Sequence, residues 1–140
     1  MSSNNKKNRN EKKRILIVDD ETDIANLVRK GLVAKGFYVD SYTDPLSALR
    51  DFKPSSYDLI LLDIKMPNID GFEVYKLIRK IDTKIKICFL TAVEIFNIEI
   101  ENKLSELEPT IKNAGDYKSC IIRKPLGIKE LSKLIGDLLA

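Results

Sequence analysis

The sequence predicts an α/β protein built on a doubly wound, five-stranded parallel sheet. Five apolar runs of strand length recur along the chain, and stretches with helical spacing separate them. That alternation buries a parallel sheet between helices. Several of the runs lead directly into polar residues able to do chemistry: Asp19-Asp20, Asp63, Thr91 and Lys124. In an open sheet of this kind the strand C-termini share one edge, which is where ligands bind.

Arg14-Ile15-Leu16-Ile17-Val18 is the first strand, continuous and β-branched, as expected where both faces are covered. A helix follows Asp19-Asp20-Glu21, with Ile24, Leu27, Val28 and Leu32 placed on one face by their spacing and Gly36 as its stop. Phe37 to Tyr42 reads as the second strand. Asp44-Pro45 opens a second helix with Leu46, Leu49 and Phe52 inward. Leu59 to Leu62 is the third strand and ends at Asp63. Pro67, Asn68, Asp70 and Gly71 then signal a turn and a helix start. The third helix, about Gly71 to Lys80, carries Val74, Leu77, Ile78 and Ile81 as one stripe. Ile85 to Leu90 is the fourth strand, running into Thr91-Ala92, and Ser119 to Arg123 is the fifth, running into Lys124-Pro125. A last helix aligns Ile128, Leu131, Leu134, Ile135 and Leu138.

Composition bounds the function. A chain of 140 residues with 44% hydrophobic and 32% charged residues is one ordinary globular domain. No apolar run approaches the ~18 residues of a membrane span, and the N-terminus is charged without an apolar core, so a cytoplasmic protein without membrane partners is expected. Net charge is +3, but residues 1–14 alone carry +5, which leaves the remainder at −2. Residues 1–13 read as a disordered basic tail and 14–140 as the folded domain. The tail is expected to be a solubilising arm, and nucleic-acid partners are not expected. Cys88 and Cys120 both lie in apolar runs, as buried thiols do. Histidine is absent, which removes His triads, His metal ligands and His acid–base catalysis together.

Taken one at a time the polar residues have dull explanations: Asp19 or Asp20 as a cap of the first helix, Thr91 as a cap of the fourth, Asp63 as a turn acid, Lys124 as a solvated ammonium. At the ends of four different strands they converge. Three carboxylates in one pocket raise one another's pKa unless a cation intervenes, and Mg²⁺ suits such an oxygen donor set. Mg²⁺, an ammonium and a hydroxyl together suit a phosphoryl group. A carboxylate with a pKa near 4 is expected to be ionised at neutral pH and able to attack phosphorus without a general base.

Asp19-Asp20, Asp63 with Met66-Pro67-Asn68-Ile69-Asp70-Gly71, Thr91-Ala92 and Lys124-Pro125 resemble the full signature of a response-regulator receiver domain of two-component signalling, over residues 14 to 140. The resemblance implies a flavodoxin-like fold with strand order 2-1-3-4-5. It implies that Asp63 is the phosphoacceptor, that Asp20 binds Mg²⁺ directly and Asp19 through water, and that the backbone carbonyl of Lys65 completes the protein's share of the metal shell. Lys124 would pair with a phosphoryl oxygen, and Thr91 would hydrogen-bond the phosphate once present. The implied partners are a sensor histidine kinase or phosphotransfer protein and an unidentified downstream protein.

The chain departs from that pattern twice. Ile121 stands three residues before Lys124, where receivers commonly carry Tyr or Phe as a rotating switch. The segment between Thr91 and Lys124 is extended, with Val93, Phe96, Ile100, Leu104, Leu107 and Ile111 in helical period and Pro109 arguing for a break near Glu108. Ile95 and Ile98 fall opposite that apolar sector and are expected to form a phosphorylation-sensitive contact with a partner or a second copy of the chain. No segment remains for an output domain, so a stand-alone phosphoacceptor is expected, catalysing only its own phosphorylation and dephosphorylation. Two alternatives differ in class. One is a phosphorylation-independent binding module. The other is a Mg²⁺-dependent phosphohydrolase, against which stands Lys65 where such enzymes place a second acid.

Overall fold

In the computed structural model, which describes residues 12–92, 98–107, 121–124 and 127–139, the sheet has the order β2-β1-β3-β4-β5 with every pair parallel. The elements are β1 (Arg14–Val18), α1 (Thr22–Ala34), β2 (Tyr38–Tyr42), α2 (Pro45–Asp51), β3 (Leu59–Asp63), α3 (Gly71–Ile81), β4 (Lys86–Ala92), α4 (Ile98–Leu107), β5 (Ile121–Lys124) and α5 (Ile128–Leu139). The flavodoxin-like architecture is therefore observed in the predicted strand order. The terminal tail through Glu11, Cys120 and most of the extended segment lie outside the described residues.

Strand alternation divides the core in two. Leu16, Val18, Ile60, Leu62 and Phe89 face α2, α3 and Leu107 of α4. Ile15, Ile17, Leu59, Leu61 and Cys88 face α1 and α5. The central strand is buried at all five positions, which explains its unbroken apolar run. Each such Leu or Ile contributes roughly 1.5–3 kcal/mol over its exposed state. Phe89 anchors one layer, with the Phe72 and Tyr75 rings centred 5.5 and 5.6 Å away. Edge strand β2 is instead half polar and mostly part-exposed, as edges are.

Local chemistry sets the helix boundaries. Asp44 caps α2 by accepting from the Leu46 amide, with Pro45 in the first turn. Asp70 caps α3 by accepting from the Glu73 amide. Gly36 follows α1 at φ 100°, a left-handed conformation that favours glycine.

The inward faces differ from expectation at four positions. Leu27 is 64% exposed, Leu46 52%, Leu77 38% and Ile81 42%. At 100° per residue, Ala25 and Leu32 place the buried centre of α1 well over 100° from Leu27. In α2 the buried residues are Pro45 and Ala48, and in α3 Phe72, Val74, Tyr75 and Ile78.

Candidate functional site

Asp19, Asp20 and Asp63 come together at the C-terminal edge of the sheet, with one carboxylate oxygen from each within 4.8 Å of the others. Asp63 ends the central strand, and β1 beside it delivers Asp19 and Asp20 just past Val18. Asp19 is 1% exposed and Asp63 4%. Neither Asp19 nor Asp20 caps α1. The N-cap position falls to Glu21, whose amide donates to Asp19 Oδ1 at 3.0 Å.

Lys124, the last residue of β5, reaches all three sides of the pocket. Its Nζ lies 2.9 Å from Asp19 Oδ2, 2.8 Å from Glu21 Oε1 and 3.5 Å from Asp63 Oδ1. Its side chain is 14% exposed, so the solvated-ammonium explanation does not hold. Burial disfavours the ammonium, but the hydrogen bond it donates to Glu21 and the charges of Asp19 and Asp63 outweigh that and hold Lys124 above its ordinary range.

Asp63 shows the mutual rise expected of crowded carboxylates without a cation. Burial, then the Asp19 charge, push its carboxyl up to about 8 against the opposing pull of Lys124, and Asp20 adds to the rise. In the metal-free protein Asp63 therefore holds its proton more tightly than a solvated carboxyl does. A value near 4 belongs to a solvated carboxyl, and this one is buried among acids.

The donor set fits a small hard cation. It offers three convergent carboxylate oxygens, and Asp19 Oδ2 is buried beside the Lys124 ammonium without an aligned hydrogen bond among the described residues. A divalent cation with oxygen preference would ionise Asp63 and satisfy that oxygen.

The remaining predicted site residues are placed as follows. Thr91 follows Leu90, the register partner of Asp63, and is fully buried. Lys65 is exposed just beyond β3. Ile121 pairs with Phe89 across β4 and β5 and packs half-buried against the layer that holds α3. Ile98 is the first residue of α4 and its side chain lies outside the description, as does the whole of Ile95.

Two contributors are not apparent from the sequence alone. Glu21 is the third acid of a run whose first two dominate the motif, and its poor capping ability is the available signal. Gly71 has the look of a turn residue, yet a Cβ there would collide with the backbone of Asp63 and Ile64.

Residues 15–106 match the family model described as the response regulator receiver domain. Among curated relatives, the transcriptional regulatory protein RprY of Bacteroides fragilis is 34% identical over 129 residues, covering 92% of this chain and 50% of that protein. The chain spans about half the length of the curated relatives it first matches. Among solved structures, the response regulator TrrA of Thermotoga maritima, in complex with Mg(2+)-BeF, is 32% identical with a TM-score of 0.69, covering 91% of this chain and 99% of that one. A CheY-like receiver domain protein from Methanospirillum hungatei is 27% identical with a TM-score of 0.73, covering 92% and 94%.

Proposed function

The chain belongs to the response-regulator receiver family of two-component signalling, and we propose that it takes a phosphoryl group from a histidine kinase or phosphotransfer protein onto Asp63 and thereby switches a partner-binding surface. The observation that carries this reading is the convergence of Asp19, Asp20 and Asp63 within 4.8 Å, with Lys124 Nζ 3.5 Å from Asp63. Asp20 and Asp63, with the Lys65 carbonyl, would hold Mg²⁺, with Asp19 supporting the site. The ion, when bound, neutralises the charge gathered on the transferring phosphoryl oxygens.

In the transfer, an Asp63 carboxylate oxygen bonds to phosphorus as the nitrogen–phosphorus bond of the donor phosphohistidine breaks. The bonding pair stays on the imidazole nitrogen. Lys124 pairs with a phosphoryl oxygen and Thr91 donates its hydroxyl to another. Hydrolysis of the acyl phosphate returns the carboxylate. The chain does no other catalysis.

Residues 14–140 act as this unit in the cytoplasm, and the basic tail of residues 1–13 lies outside it. Among the described residues no helix is long and apolar enough to cross a membrane. The relative RprY is a transcriptional regulatory protein, so a downstream regulatory partner, or a second copy of the chain, is the intended reader of the switch. Incubation with a small phosphodonor and Mg²⁺, followed by intact mass of wild type and Asp63→Ala, tests the reading. Phosphate uptake by Asp63→Ala would overturn it.

A further inference from the structure

Glu21 occupies the N-cap of α1, where Ser, Thr, Asp and Asn are favoured because a short side-chain oxygen reaches the first-turn amides. Its side chain makes no such bond. Instead its Oε1 accepts from Lys124 Nζ at 2.8 Å. Asp19 Oδ2 lies 2.9 Å from the same ammonium, while Asp63 Oδ1 stands back at 3.5 Å, beyond the ~2.7–2.9 Å of a charge-assisted hydrogen bond. The Glu21 side chain is 55% exposed and that of Asp63 only 5%. The ammonium is thus drawn toward the mouth of the pocket and away from the buried carboxyl.

The geometry points to Glu21 as a positioning residue: it holds the Lys124 ammonium at the mouth of the pocket in the unphosphorylated protein and yields it to the phosphoryl oxygens when Asp63 is loaded. This rests on Asp63 being the phosphoacceptor. A phosphoryl group brings three strong acceptor oxygens and nearly two negative charges. Lys124 Nζ stands 3.5 Å from Asp63 Oδ1 while it is held at Glu21, so a group bonded to Asp63 must draw the ammonium inward, away from the mouth. Opening the exposed Glu21 pair costs little. Leaving the buried Asp19 carboxylate without its counter-charge costs far more. Glu21 is therefore the partner that lets go, and it competes with the phosphoryl group for the same ammonium.

The test compares beryllofluoride affinity of wild type and Glu21→Ala at saturating Mg²⁺. Removing the competitor should tighten binding roughly two- to fivefold, the size of one exposed ion pair. A bystander carboxylate would repel the anion whether or not the ammonium is there, so the gain should disappear when Glu21→Ala is made in a Lys124→Ala background; a gain that persists there, or no gain with Lys124 present, overturns the proposal. The metal-free crystal structure of Glu21→Ala gives a second readout, independent of phosphoryl chemistry. The Lys124 Nζ to Asp63 Oδ1 distance should shorten from 3.5 Å to about 2.8 Å. An ammonium that does not move toward Asp63 also overturns it. A wild-type protein that takes no beryllofluoride would remove the phosphoacceptor premise itself, a failure distinct from an unaltered variant.

Discussion

Gly71 lies against the backbone of Asp63. A Cβ at position 71 would fall on the Asp63 carbonyl oxygen and sit 2.9 Å from Ile64 Cα. The first turn of α3 is thereby packed on the end of the central strand, and the Gly71 amide donates to the Ile64 carbonyl at 2.8 Å. Gly71→Ala should therefore cost about 1–3 kcal/mol of stability through overpacking. At Gly136 in α5 an added methyl would meet nothing within 4 Å, so Gly136→Ala should gain roughly 0.5–1 kcal/mol. Urea denaturation of both variants checks the pair. Equal stabilities would show that α3 can withdraw from Asp63 freely.

Asp20→Asn should weaken Mg²⁺ binding and leave the metal-free fold as stable or more so. One of three crowded carboxylates loses its charge, so repulsion in the metal-free pocket falls while a donor is lost. Metal titration and thermal melts measure the two effects side by side. Unaltered affinity, or a large loss of metal-free stability, would contradict the assignment.

The raised pKa of Asp63 makes both stability and metal binding depend on pH. Its folded value of about 8 exceeds the unfolded value near 4, so the folded state holds the proton more tightly. That contribution is fully present below about pH 4 and is lost as pH rises through about 8. Metal-free stability should therefore decline over this window. Mg²⁺ must displace the same proton, so its affinity should climb by up to about tenfold per pH unit below 8. Calorimetry in two buffers of different ionisation enthalpy reads the released proton. Affinity independent of pH between 6 and 8 would show Asp63 already ionised.

Deleting residues 1–13 should leave the melting temperature and the phosphorylation rate nearly unaltered, since that stretch has almost nothing apolar to anchor it. A cooperative loss of either would place the tail within the folded unit.

The five strands and the pocket are legible in the sequence because both depend on where apolar runs stop, whereas the strand order is implied by the family resemblance alone. Asp63 follows four buried residues at the end of β3, and Lys124 ends β5, so runs and site residues are read together. Helix faces are less legible. Spacing places Leu27 and Leu77 in apolar stripes, whereas the sheet approaches α1 and α3 on the sides of Ala25 and Tyr75. Spacing marks an apolar sector, and the tertiary packing of the helix decides which of its residues are buried. The upward direction of the Asp63 pKa is legible from the converging acids, whereas its largest cause, burial of the carboxyl, is seen only in the fold.

Asp63 as the single phosphoacceptor is the claim on which the rest depends. Intact mass spectrometry after incubation with a small phosphodonor, with and without Mg²⁺, measures this most directly. Wild type should gain one phosphate only when Mg²⁺ is present, and Asp63→Ala should gain none. A labelled Asp63→Ala protein at wild-type yield, or wild-type labelling indifferent to Mg²⁺, would contradict that claim.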